Sequence, residues 1–118
     1  MANPNIVNVA TINGKTDTFA LTTTETNLVT ATANTVFKIN SIMIANIDGT
    51  NAADVTIKYN DGSTDRAIAS TISVPADATL SLVDKNNGFY LEETEIIKGT
   101  ASANSDLECL ISYEVISD

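Results

Sequence analysis

Histidine and tryptophan do not occur in this 118-residue chain, cysteine occurs once, proline twice, and only six residues are basic. Without histidine there is no histidine-based triad, no histidine-dependent cysteine protease and no common transition-metal site. The single cysteine, Cys109, excludes an intrachain disulfide framework and a structural zinc. Aromatics are 5% of residues, which leaves few platforms for stacking bases or sugars. Fifteen acidic residues against six basic ones give a net charge of −9, a field that repels phosphate backbones and anionic lipid. Neither nucleic acid nor membrane is therefore an expected partner. The opening MANPNIVNVATINGK lacks a basic region followed by an apolar run, so no signal peptide, transit peptide or membrane span is expected. A Gly-rich phosphate loop and a G-x-S-x-G elbow are also missing, and the chain reads as a non-enzyme without cofactors.

Threonine is the commonest residue, and with many Ile and Val it sets a β-branched preference. No extended stretch has helical periodicity. The stretch Val36–Tyr59 reads as two strands joined by the turn Asp48-Gly49-Thr50-Asn51, and is expected to form a central ribbon. In its second limb Val55, Ile57 and Tyr59 alternate with Thr56 and Lys58, which implies one buried and one wet face. In its first limb Ile42 and Ile44 fall out of step with Phe37 and Ile39. Either a bulge near Ser41 resets the alternation, or the strand is covered on both faces within the molecule; the sharper reading places Ile42 and Ile44 in a subunit interface.

Residues 1–15 read as an N-terminal arm and first short strand, and 16–118 as the β domain. Pro4 holds Asn3 extended, and Ile6, Val7 and Val9 are expected to form a short strand. That strand pairs either within its own sheet or as an arm added to a neighbouring subunit. Asn13-Gly14 signals a turn before strands at Thr16–Thr22 and Asn27–Thr32. Asn60-Asp61-Gly62-Ser63 signals a hairpin. In the next strand, Arg66–Val74, Ile68, Ser70, Ile72 and Val74 share one face, and Pro75 ends it. Further strands are expected at Thr79–Val83 and, after Asn86-Asn87-Gly88, at Phe89-Tyr90-Leu91. Ile96–Ala101 and Leu107–Ile116 read as a closing hairpin. The expected fold is all-β, a single antiparallel sandwich of about eight to ten short strands, Ig-like or jelly-roll.

Three clusters invite chemistry. Asp61-Gly62-Ser63-Thr64-Asp65 resembles part of a calcium loop but lacks a distal bidentate Glu, so a solvated turn is expected and no metal. Glu92, Glu93 and Glu95 could pair as glycosidase carboxylates, yet beside a turn they read as a solvated acidic bend. Cys109 alternates with Leu107, Ile111 and Tyr113 and reads as a small buried hydrophobe, while Glu108 and Glu114 face outward.

The segments INSIMIANIDGTNAADVTIKY, IASTISVPADATLSLV, GFYLEE and IKGTASANSDLECLISYEVI, between Thr16 and Ile116, resemble small structural proteins of tailed bacteriophages. The resemblance implies a β-sandwich made in the host cytoplasm and carried on the virion. It would be a capsid decoration (cement) protein on the shell exterior, bound to the major capsid protein or another virion protein and self-associating, with a trimer possible. A tail or neck component and a carbohydrate- or cell-surface-binding module are the alternatives. No catalytic residue follows from it. The candidate contacts are the arm at Ile6, Val7 and Val9 and the pair Ile42 and Ile44.

Overall fold

The computed structural model describes residues 4–5 and 7–117. They form nine strands: β1 (Thr11–Ala20), β2 (Thr26–Thr30), β3 (Thr35–Asn46), β4 (Ala53–Asn60), β5 (Asp65–Val74), β6 (Thr79–Val83), β7 (Phe89–Leu91), β8 (Ile96–Ala101) and β9 (Leu107–Ser117). The chain doubles back at the Asp61 turn, so β4 pairs with β5. The two halves then pair outward from there, β3 with β6 and β7, β2 with β8, and β1 with β9. All these pairs are antiparallel, and they lie in two sheets, β1-β9-β3-β6 with β7 also on β3, and β2-β8-β4-β5. A folded-over chain wound into two layers, with β6 and β7 sharing one edge position along β3, is the jelly roll, the second of the two sandwiches expected.

The core lies between the layers. Ile39, Ile42, Ile44, Cys109 and Ile111 of one sheet face Val55, Ile57, Ala69 and Ile97 of the other. Most inward positions are β-branched or aliphatic because a sheet covered on one face buries every second side chain.

In β3 the pairing with β9 steps from Ile39↔Tyr113 to Ser41↔Ser112, leaving Asn40 as the extra residue. This bulge carries Ile39, Ile42 and Ile44 to the same inner face, where all three have 0% exposure. The expected bulge is present. Ile42 and Ile44 are accordingly core residues, and the interface expected of them is corrected: side chains sealed between two sheets have no surface for a second subunit.

Several local expectations change, two of them because strands adjacent in sequence stack across the core. β3 and β4 lie in different sheets, so Asp48–Asn51 carries the chain from layer to layer, and Val36–Tyr59 is not a ribbon. β8 and β9 also part, so the closing hairpin is a crossover. β6 and β7 run successively along β3, and 84–88 interrupts one edge strand without reversing the chain. Asn13-Gly14 lies inside β1 opposite Val115 and Glu114, because a turn dipeptide turns only where its flanking segments pair with each other. The sandwich thus takes in Thr11–Lys15, inside the stretch read as arm. In β5, Thr71 adopts φ 47° and breaks the alternation, so Ala69 and Val74 are buried while Ile72 stays partly exposed.

Candidate interaction surface

Of the expected arm, Ile6 lies outside the described residues. Val7 is in a turn and not a strand, and it is 90% exposed, while Val9 is half-buried. The Asn5 side chain builds the turn. The Val7 amide donates to Asn5 Oδ1 at 3.0 Å and the Asn8 amide to the Asn5 carbonyl at 3.0 Å. A self-bonding asparagine competes with strand pairing, which is why this stretch does not extend β1.

A cleft of about 500 Å³ opens where β5, at the edge of one sheet, stands off from β6 and β7 at the edge of the other. Its walls are Tyr59, Ile68, Leu82 and Phe89, with Arg66 and Tyr90 among its exposed residues. Tyr59 and Phe89 meet edge to face with centroids 5.8 Å apart. Arg66 sits opposite Tyr59 in the strand register and is the only arginine in the chain. Sequence reasoning missed this cleft. Its lining comes from four strands with no common spacing, and Tyr59 stands 30 residues from Phe89, so no sequence signal marked it.

The carboxylates beside the cleft serve structure. The Tyr59 hydroxyl donates to Glu95 Oε1, which also accepts from the Glu92 amide at 2.8 Å, and Glu93 Oε2 accepts from the Asn34 amide at 2.7 Å. Glu93 and Glu95 are 8% and 9% exposed, so the expected solvated bend is corrected: it is a buried staple whose charges are matched by backbone donors. Burial, then the hydrogen bond to Glu95, holds the Tyr59 phenol protonated well above its usual range. Burial likewise pushes the Cys109 thiol up to about 12, consistent with its place as a buried hydrophobe.

In the Asp61 loop the carboxylate accepts from the Ser63 and Thr64 amides at 3.1 and 2.8 Å, which lowers its pKa. Its oxygens are turned onto its own backbone, and the described residues hold no cluster of three or more metal-ligating acids, Cys or His. Asp48 repeats the arrangement with Thr50 and Asn51. Glu108 is exposed, and half-buried Glu114 accepts from Asn40 Nδ2 at 3.0 Å on the outer face, tying down the bulge residue.

No family model matches the chain, and no curated protein matches it. Solved structures do share its fold. A protein of Bacillus endospore appendages, described as a family of disulfide-linked pili, superposes with TM-score 0.54 at 13% identity over 92% of this chain and 88% of its own. The capsid structure of Helicobacter pylori bacteriophage KHP30 contains a chain with TM-score 0.53 at 7% identity, over 92% of this chain and 89% of its own. At these identities the likeness is one of fold.

Proposed function

We propose that this protein is a non-enzymatic structural subunit of a phage virion, a decoration protein that binds the outside of the capsid shell and stabilises it. The observation that carries this reading is the jelly roll itself, matched over nine-tenths of the chain by a chain of a phage capsid structure. The side chains that could do chemistry support it, because the thiol is sealed in the core and the cleft-side carboxylates are tied to backbone amides. The pilus comparison transfers less. One cysteine can join two chains at most, and this one is buried, so a disulfide-linked array is not available to this sequence.

The partner is the major capsid protein or another virion protein, and copies associate with one another, a trimer at a three-fold position being the simplest arrangement. Linked subunits bind a repeating shell by avidity, each added contact raising retention without new chemistry. The test is to mix purified protein with shells lacking it and to image the particles by electron microscopy. Saturable binding at symmetry-related sites on the shell exterior is expected. Density at the tail or neck, or no retention on shells, overturns the assignment.

A further inference from the structure

We propose that the Val7 turn of one copy seats in the cleft between β5 and β6–β7 of the next copy, a head-to-tail contact that builds rings or chains and not a two-fold dimer. The inference rests on the self-association in the reading above and names the surfaces that carry it.

Three observations converge. The first is shape. Val7 projects from a turn already held by two hydrogen bonds, one to the Asn5 side chain and one to its carbonyl, so little order is lost on docking. The cleft is of ligand-pocket size and walled by Ile68, Leu82, Phe89 and Tyr59. The second is charge. From Met1 to Gly14 no side chain is charged, the longest such stretch in a chain of net charge −9. Two copies repel through most of their surface, and a neutral knob meeting a cleft whose one charged lining residue is a cation is where they can approach. The third is placement. The turn leads into β1, one edge of its sheet, while the cleft opens at the opposite edge. Val7 is 90% exposed and does not line the cleft of its own chain, so the knob leaves that cleft open to a neighbour. A knob on one edge and a hole on the other form a heterologous pair, which closes into rings or propagates.

The competing account of Arg66 is that an inward charge on an edge strand only keeps strangers from pairing there. The two accounts separate by cross-linking. Val7→Cys and Ala67→Cys chains, one of them tagged, are mixed and mildly oxidised; both positions are exposed, and the remaining thiol, Cys109, is buried. A disulfide between the two different chains is expected, with a ladder or closed ring in the double variant and no product from the unmodified protein. Closure within a monomer, self-pairing of Val7→Cys in preference to the mixed product, or no cross-link overturns the proposal. In parallel, Val7→Lys, which would set a second cation against Arg66, is expected to weaken association about tenfold, read by light scattering; an unchanged mass overturns it too. Failure here leaves shell binding by wild-type protein untouched, whereas cross-linked copies that ignore shells sink the decoration reading alone.

Discussion

Asn46 holds the two layers together at the end of β3. Its Nδ2 donates to the Val74 carbonyl at 2.9 Å and to the Asn51 carbonyl at 3.0 Å, while its Oδ1 accepts from the Asp48 amide at 2.9 Å. One buried amide thus fastens β3 to β5 and to the crossover that leads into β4. Asn46→Leu leaves those backbone groups unpaired and is expected to cost about 2–4 kcal/mol, measured by urea unfolding. Glycines give a contrasting pair. A Cβ on Gly88 would lie 2.6 Å from the Ile39 carbonyl oxygen, which backbone pairing holds in place. A Cβ on Gly99 would meet the ends of Leu28, Leu21 and Ile57, which can rotate aside. Gly88→Ala is therefore expected to lose about 1–3 kcal/mol in the same assay and Gly99→Ala less. The sequence marks Gly88 as a turn glycine, but its close approach to β3 comes from a strand far away in the chain.

The element that decides the fold's register is β3. The Asn40 bulge lets one strand bury Ile39 and then Ile42 and Ile44, whose spacing alone would put them on opposite faces. Deleting Asn40 removes the extra residue and leaves Ile39, Ile42 and Ile44 two apart in an unbroken alternation, still on one inner face. That variant is expected to keep a cooperative urea transition, whereas the double change Ile42→Ser with Ile44→Ser is expected to unfold the domain. A folded domain in the double-serine variant would contradict the core assignment. The edges show how the sheets stay unpaired with strangers. Along β1, Lys15 and Asp17 occupy positions opposite Tyr113 and Ile111. Asp17 accepts from the Tyr113 hydroxyl at 2.5 Å, and Lys15 lies 6.0 Å from that ring's centre. The β5 edge is bent at Thr71, and β2 slips register between Asn27 and Val29. Inward charges and bulges of this kind discourage strand addition, which favours a side-chain knob over an added strand as the contact between copies.

At the scale of the whole molecule, alkaline stability follows from groups the fold keeps protonated. Cys109 moves from 9.0 to about 12, and Tyr59 and Tyr113 also rise, each chiefly through burial. Above pH 9 the unfolded chain releases the thiol proton that the folded protein retains, so stability is whole below that point and falls as pH climbs. Thermal unfolding across pH 8–11 is expected to show this decline, and Cys109→Ala to make its first part shallower. Composition, alternation and the Asp61 turn were enough to specify an all-β sandwich with Cys109 inside, because local propensity and period-two burial are properties of short segments. Which strands share a sheet was decided only by tertiary structure. Alternation says that a face is buried and not what buries it, so β3 and β4 read equally well as neighbours in one sheet or as partners across the core. The cleft has the same origin: Tyr59, Arg66, Leu82 and Phe89 meet only because the rolled chain brings the edges of its two sheets side by side.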